Sequence, residues 1–288
     1  MDAPRPADYA ALAVAVVGVS TSAPLIAALA APALAVAFWR NAMAEVVLAP
    51  VALARGGIGR RELALTALSG LVLAGHFATW IPSVRLTTVA TSTALVSTTP
   101  VWTALIQRAG GQRVSPRTWL GTALALAGVL AVTGVDVTGS ARAVGGDLLA
   151  LAGGMLAAGY VVLGGRIRRT VDTTTYAASC YAVCAVVLLA VCVTVHVPLA
   201  GYSGRTWLGL ATLTLAAQLL GHSLVNHALR RIPVTVVSVA ILAEVPGAAL
   251  LAAAFLGQHP SAATLPGLLL ILAGLATAVR GRRIEPQL

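Results

Sequence analysis

The stretch that decides the fold is GHFATWIPSVRL at residues 75–86, which returns 146 positions later as GHSLVNHALRRI at residues 221–232. The same offset continues without a gap to residue 128 and relates further pairs: Pro100 and Pro246, Gly111 and Gly257, Gln112 and Gln258, Ser115 and Ser261, Gly121 and Gly267, Gly128 and Gly274. Earlier residues align less well, with Asp8 opposite Asp147 at an offset of 139. This spacing predicts two copies of one structural unit, at residues 1–140 and 141–288.

The composition places both copies in a membrane. Of the 288 residues, 58% are hydrophobic and only 10% are charged, and the mean hydropathy is +0.90. Since an average soluble domain carries about 25% charged residues, this composition excludes a soluble globular enzyme, a disordered protein and a disulfide scaffold. An α-helix needs about 20 apolar residues to cross a bilayer. The chain is therefore expected to be an all-α polytopic membrane protein with ten transmembrane helices.

Apolar runs separated by Arg, Gly or Pro predict where these helices lie. The expected ranges are 9–29, 34–54, 63–82, 88–107, 116–135, 146–164, 175–196, 206–227, 234–256 and 262–280. We interpret the first range as a membrane span and not as a signal peptide, because Arg5 is the only basic residue before it and stands against Asp2 and Asp8. The fifth and tenth helices are expected to pack closely at repeated glycines, namely Gly121, Gly128, Gly267 and Gly274.

The distribution of arginine predicts which loops face the cytoplasm. All 19 basic residues are arginines. With the N-terminus inside, 15 of them fall on cytoplasmic segments, Arg40 falls within a span, and three fall on the opposite side, namely Arg85, Arg142 and Arg205. Because Lys and Arg collect on cytoplasmic loops, this bias explains the net charge of +10 without a nucleic-acid partner. It predicts an inner-membrane protein with both termini in the cytoplasm.

The two copies are expected to cross the bilayer in opposite directions. Each holds five helices, and since five is odd, the second copy enters from the other side. Arg85 is then outside, whereas its counterpart Arg231 is inside. Inverted repeats recur in secondary transporters, because two similar halves that face opposite ways provide two conformations of similar energy for alternating access. This arrangement is the strongest functional signal in the sequence.

Several motifs resemble a known family. The stretch TSTALVSTTPVWTAL at residues 91–105, followed by WLG at 119–121 and LAGVL at 126–130, looks like the second half of an EamA-type repeat. The stretch EVPGAAL at 244–250 looks like the same element of a second repeat, and Phe38-Trp39-Arg40 resembles the arginine-bearing second helix of that family. The resemblance is to the drug/metabolite transporter superfamily and covers nearly the whole chain as two EamA-like units.

The resemblance implies a ten-helix transporter with a solute cavity between its halves, lined largely by helices 1, 3, 4, 6, 8 and 9. Members of the family often carry Gly-Glu in the loops before helices 5 and 10. This chain has Gly111-Gln112 and Gly257-Gln258 instead, so any role of that acid is absent here. The motifs specify the fold and leave the substrate open.

Glu244 is the main titratable candidate within the predicted spans. It lies in the middle of the ninth span, two residues before Pro246, which removes one helical hydrogen bond and frees a carbonyl group. A charged side chain at the bilayer centre costs about 2.5–3.5 kcal/mol on insertion scales, so it needs a partner or a water-filled cavity. We interpret Glu244 as a cavity carboxylate that carries a proton or binds a cationic group. The alternative is a structural hydrogen bond to a neighbouring helix.

His76 and His222 occupy matched positions of the two copies, on either side of the expected midplane. Such a pair can relay protons or hydrogen-bond a solute, although packing beside the repeated glycine explains the recurrence as well. Gln218 and Asn226 lie four residues before and after His222. At α-helical spacing these three residues share one face, which we expect to line the cavity.

Span four is rich in hydroxyl groups, and Thr98, Thr99 and Pro100 lie near its centre. We expect a wet face there, although such hydroxyls also bond back to helical carbonyl groups. Arg40, in span two, is expected to have a structural or orienting role, with its side chain reaching outward beside Trp39. Glu45 has no suitable partner on its own helix, and no role is assigned to it.

Together these features predict a secondary transporter of a small metabolite, of the amino-acid or drug/metabolite exporter type, in a lipid bilayer. The sequence has no Walker motif that would bind ATP, and protons are the expected coupling ion because of Glu244, His76 and His222. No cofactor or metal is expected, since an HExxH motif, a catalytic Asp pair and a metal-binding His pair are all absent from the sequence, which argues against an intramembrane enzyme. An uncoupled facilitator and a non-transporting structural or insertion-assisting protein are the alternatives. The solute, the direction of transport and homodimer formation are left open.

Overall fold

The chain folds into helices throughout the residues that the computed structural model describes, which are 4–55, 58–134, 140–257 and 265–280, and these residues contain no strand. The helices are α1 Pro6–Ser20, α2 Ser22–Ala28, α3 Ala33–Ala54, α4 Arg60–Leu86, α5 Val89–Val96, α6 Thr99–Ala109, α7 Pro116–Gly134, α8 Ala141–Ile167, α9 Thr173–Thr194, α10 Gly204–Leu213, α11 Ser223–Ala228, α12 Val234–Ala240, α13 Glu244–Leu256 and α14 Leu265–Arg280. A π-helical segment, Thr214–His222, joins α10 to α11, and a 3₁₀ turn, Ile241–Ala243, joins α12 to α13.

The helices follow the apolar ranges of the sequence. Single helices fill most of the ranges, whereas the first, fourth, eighth and ninth ranges are filled by consecutive shorter helices. Seven segments of the described chain are long and apolar enough to cross a membrane: Pro6–Ala28, Ala33–Ala54, Arg60–Leu86, Ala141–Ile167, Thr173–Thr194, Gly204–Ala228 and Val234–Phe255. The segments formed by α5 and α6, by α7 and by α14 are not among the seven. The protein is therefore all-helical with multiple membrane crossings.

Both repeated prolines lie at the start of a half-helix. A turn at Ser97 and Thr98 separates α5 from α6, and Pro100 lies in the first turn of α6. In the second copy the 3₁₀ turn precedes α13, where Pro246 is the third residue. Proline is tolerated in the first turn of a helix, since the N–H group that it lacks has no intrahelical partner there. The interruptions therefore occur at equivalent places of the two copies.

The helices pack in pairs that join the two halves of the chain. Helix α4 packs along α8, α1 packs against the π-helical segment and α11, α3 packs along α9, and α7 packs along α14. A large apolar cluster lies among α1–α4 and α8–α12. A smaller one lies where α5, α7, α12, α13 and α14 meet. The functional side chains described below lie between these clusters or inside the larger one.

Helices α7 and α14 are in close backbone contact at glycines, as the sequence predicts. A Cβ atom at Gly128 would lie 2.5 Å from the carbonyl oxygen of Gly267, and one at Gly274 would lie 2.5 Å from the carbonyl oxygen of Gly121. Distances below 3.0 Å cannot be accommodated against backbone atoms without a shift of one helix. Any larger residue at these positions must therefore separate the two helices.

We expect Gly128→Ala to lower the free energy of unfolding by about 1–3 kcal/mol, because overpacking this contact outweighs the gain in helix propensity. Gly145→Ala is the matched control, since a Cβ atom at Gly145 meets nothing within 4 Å. The midpoint of thermal unfolding of the two variants in detergent checks this prediction. Equal midpoints for both variants would contradict it.

Candidate functional site

A cavity lies between the two copies of the repeat and is lined by residues of both. The volume that the cavity offers to water is about 60 Å³. A single buried water needs about 10–15 Å³ on this measure, so the cavity has room for a few water molecules. Its polar wall consists of Ser22, His76, Ser97, Thr99, Tyr160, His222, Ser238 and Glu244.

The two repeated histidines meet in this cavity. The ring centroids of His76 and His222 are 6.5 Å apart, and His76 stacks on Trp80 at 5.6 Å with an interplanar angle of 12°. The Nδ1 atom of His76 lies 2.9 Å from the carbonyl oxygen of Gly153. A carbonyl oxygen only accepts, so Nδ1 carries the hydrogen and Nε2 is the acceptor nitrogen of the neutral ring. His76 can thus accept a hydrogen bond from a proton donor.

Glu244 is the acidic residue of the cavity wall. It is the first residue of α13 and is only 7% exposed. Within the described ranges no hydrogen bond or salt bridge to its carboxylate is seen, but the buried guanidinium of Arg40 is close enough to act on it electrostatically. A buried carboxylate without a direct partner is costly in its charged form. The group can therefore gain a proton or a cationic partner at this position.

Arg40 lies next to the cavity and is fully buried. Its Nε donates to Oε1 of Gln218 at 2.8 Å, its Nη1 donates to Oγ of Ser22 at 3.1 Å, and its guanidinium carbon lies 4.3 Å from the ring centroid of Phe77. Its Nη2 has no hydrogen-bond partner within the described ranges. The side chain thus turns inward and does not reach outward beside Trp39, since the interior provides acceptors and an aromatic face for the charge.

Gln218 and Asn226 do not line this cavity with His222. Both are fully buried. The Nε2 atom of Gln218 donates to Oδ1 of Asn41 at 2.9 Å, and Oδ1 of Asn226 accepts from the hydroxyl of Tyr160 at 2.8 Å. The face predicted for the eighth span is therefore divided: His222 reaches the cavity, and the two amides hold helices together. The π-helical segment, a feature frequent at functional sites, covers residues 214–222 of this face.

Two hydroxyl groups near the centre of the fourth span bond back to the preceding turn, and that of Thr99 also donates to the carbonyl group of Gly154 on α8 at 3.2 Å. The hydroxyl of Thr99 donates to the carbonyl group of Val96 at 2.7 Å, and that of Thr98 donates to the carbonyl group of Leu95 at 2.8 Å. Thr99 nevertheless lies in the cavity wall, whereas Thr98 lines a separate small pocket with Pro100. Both threonines therefore bond to the backbone, but only Thr99 also lines the cavity.

Arg168 is a buried residue that the sequence does not single out. It follows α8 and is 1% exposed. Its Nε donates to the carbonyl group of Asn226 at 2.9 Å, and its other nitrogens donate to Val171 and Thr173. Burial lowers the pKa of Arg168 to about 10. In the sequence, nothing distinguishes it from the other arginines of the same loop.

Glu45, which receives no role from the sequence, lies away from the cavity wall. Its Oε1 atom is buried and has no hydrogen-bond partner among the described residues. Nothing in its surroundings assigns it a function.

The fold and the cavity define a class, that of multi-pass helical membrane proteins with a polar interior between two related halves. The chain matches the model of the EamA-like transporter family at residues 7–134 and again at 144–280, and it belongs to that family. It is thus a membrane transporter of the drug/metabolite transporter type. A solved structure described only as "Crystal structure of protein" is similar with a TM-score of 0.78 and 23% identity, covering 98% of this chain and 100% of that chain. This likeness concerns the fold alone. No match is found among curated proteins.

We expect Gln218→Ala to lower the free energy of unfolding by about 1–3 kcal/mol, because it leaves Nε of Arg40 and Oδ1 of Asn41 buried without their partner. Gln112→Ala is the control, since that side chain is exposed. Thermal unfolding in detergent, with solute uptake measured in parallel, checks the prediction. A variant at Gln218 as stable as the control would show that the network does not stabilise the fold.

Proposed function

We propose that this chain is a secondary transporter that moves a small polar or amphipathic metabolite across the cytoplasmic membrane by alternating access. The observation that carries this proposal is the cavity between the two EamA units, whose wall includes Glu244, His76 and His222. Ligand sites are typically concave and mostly apolar with a few convergent polar groups. This cavity has those properties and belongs to a transporter fold.

Two inverted copies of one five-helix unit, at residues 1–140 and 141–288, would provide the two conformations of similar energy that alternating access uses. The packing of the helices supports this arrangement. The contact of α1 with the π-helical segment and α11 is the counterpart of the contact between α8 and α4, while α3 with α9 and α7 with α14 each join counterparts to one another. A twofold axis in the membrane plane is expected to relate each helix of one copy to its counterpart in the other, and so to produce these helix pairs. We therefore propose ten crossing segments with both termini in the cytoplasm.

We expect the loops after α4 and α11 to lie on opposite sides of the membrane. In a chain whose three cysteines are replaced by alanine, Thr87→Cys should react with a membrane-impermeant thiol reagent added to the outside of right-side-out vesicles. Arg230→Cys should react only in inverted vesicles. Reaction of both cysteines from the same side would contradict the inverted arrangement.

Glu244 is proposed as the coupling residue. Its carboxylate is buried without a direct partner, so it is more easily accommodated when it holds a proton or a cationic group of the solute. Binding of proton and solute at one carboxyl group links the two movements. His76, with Nε2 as an acceptor, and His222 are proposed to hydrogen-bond the solute or to pass on the proton.

An uncoupled facilitator is the main alternative to this mechanism, and a structural or insertion-assisting role is the alternative to transport itself. Catalysis is not proposed, because the family is one of transporters. A facilitator shares the cavity but does not respond to a proton gradient. The formation of a homodimer is compatible with each of these functions and is not needed for any of them.

We expect Glu244→Gln to abolish gradient-driven solute flux in liposomes and to retain counterflow exchange, because the amide cannot take up the proton. Glu62→Gln removes a carboxylate away from the cavity and should keep both activities. A screen of solutes under an imposed pH gradient provides the measurement. Equal gradient-driven flux for the two variants would exclude Glu244 from coupling, and no solute moving faster than in empty vesicles would contradict transport.

A further inference from the structure

An ion pair joins the start of α1 to the loop after α11. Oδ1 of Asp8 lies 3.6 Å from Nη1 of Arg231 and 3.5 Å from Nε2 of His227. Asp8 is only 4% exposed, and its Oδ2 also accepts from the backbone N–H of Arg5 at 2.8 Å. The contact therefore fastens the first helix of the first copy to the loop that follows the third span of the second copy.

The counterparts of these two residues in the repeat are Asp147 and Arg85. Their chain neighbours are in contact: a Cβ atom at Gly146, beside Asp147, would lie 2.8 Å from Cβ of Leu86, beside Arg85, and Nη2 of Arg142 donates to the carbonyl group of Arg85 at 3.3 Å. Asp147 and Arg85 form no ion pair, however. Oδ1 of Asp147 is buried and has no hydrogen-bond partner in the part of the chain that the structure describes.

Arg85 instead binds the end of the first span within its own copy. Its Nη2 donates to the carbonyl group of Leu29 at 2.8 Å and approaches that of Ile26 at 3.4 Å, while its Nε has no partner among the described residues. Equivalent arginines thus have different partners: one has an acid of the opposite copy, and the other has carbonyl groups at a helix end. The repeat is symmetric in sequence and asymmetric in these contacts.

We propose that Asp8–Arg231 and Asp147–Arg85 are alternate latches, of which one is closed when the other is open. This inference rests on the proposed function, because it assigns the two latches to the two faces of an alternating-access transporter. With the termini in the cytoplasm, Asp8–Arg231 holds the cytoplasmic face closed. Asp147–Arg85 forms when the external face closes.

The two sets of partners available to the Arg85 guanidinium differ little in free energy, and this small difference is the physical basis of the proposal. The carbonyl end of a helix carries about half a negative charge, so moving the guanidinium from Leu29 to Asp147 replaces one favourable contact with another. The same move supplies a partner to the buried Oδ1 of Asp147, whose desolvation is otherwise uncompensated. Two arrangements of similar energy are what a two-state transporter requires.

The test measures access to the cavity from each side without any solute. The chain carries Ala157→Cys in the cavity wall, and the three native cysteines, Cys180, Cys184 and Cys192, are replaced by alanine. A membrane-impermeant thiol reagent is added to right-side-out or inverted vesicles. We expect Asp8→Asn to raise the labelling rate from the cytoplasmic side about fivefold relative to the parent. Asp147→Asn should make the conformation that is closed on the external face less populated. The labelling rate from the external side should then rise relative to the rate from the cytoplasmic side.

The matched control is Asp172→Asn, which neutralises an acid paired with Arg55 at 3.0 Å away from both latches. Arg231→Gln should reproduce Asp8→Asn, and exchange of the two residues in Asp8→Arg with Arg231→Asp should restore the parent rates. Asparagine keeps an acceptor for the N–H group of Arg5, and thermal unfolding verifies that each variant is folded. The arginine variants answer the question if an aspartate variant does not fold.

Opposite shifts for the two aspartate variants support the latches. Shifts in the same direction, or shifts no larger than that of Asp172→Asn, overturn them. The readout separates this inference from the proposed function, because labelling needs neither a solute nor a gradient. If the protein transports solute in liposomes but the two aspartate variants do not shift labelling in opposite directions, only the latches are contradicted. A chain that shows the shifts but moves no solute retains the latches and loses the transport proposal.

Discussion

Burial of the Arg40 guanidinium constrains the interior of this protein. A charge at the centre of a bilayer costs about 2.5–3.5 kcal/mol even on insertion scales, and a fully buried charge is tolerated only where partners replace its hydration. Ser22, Gln218 and the ring of Phe77 do so from three different segments. Because Gln218 also binds Asn41, helices α2, α3, α4 and the π-helical segment are held in one register. That register places His76 and His222 opposite each other.

The interrupted helices follow from a related constraint. In a membrane, non-helical backbone is tolerated where protein or a water-filled cavity surrounds it, and not where lipid does. The turn at residues 97–98 and the 3₁₀ turn at 241–243 depart from α-helical hydrogen bonding at such a place, since Ser97, Ile241 and Leu242 all lie in the cavity wall. Each break ends at a half-helix that begins with Thr99 or Glu244. The same local feature therefore shapes the cavity and presents Glu244, the one carboxylate that the described residues contribute to its wall.

Much of the fold could be predicted from the sequence, because hydrophobic runs and a constant repeat offset are properties of the chain alone. The helix ranges, the glycine contact between α7 and α14 and the positions of His76, His222 and Glu244 in one cavity follow from such patterns. The partners of Arg40 could not be predicted, since Gln218 lies 178 positions away and only the packing of two distant spans brings it close. Arg168 could not be distinguished from its neighbours for the same reason. The π-helical segment and the side chains of other helices determine that His222 lines the cavity while Gln218 and Asn226 contact neighbouring helices, and the sequence pattern shows neither.

The small size of the cavity indicates where movement must occur. A cavity of about 60 Å³ is small for a metabolite, so the proposed solute binding requires its walls to separate. On one side the wall is fixed by buried hydrogen bonds from Arg40 and Gln218 between different helices. On the other side, the hydroxyl group of Ser238 bonds within its own segment, whereas that of Thr99 donates to Val96 and also to the carbonyl group of Gly154 on α8. Under the proposed mechanism, opening at α5–α6 breaks the contact of Thr99 with Gly154, whereas the hydroxyl bond of Ser238 moves with α12, and the Arg40 network is retained in both cases.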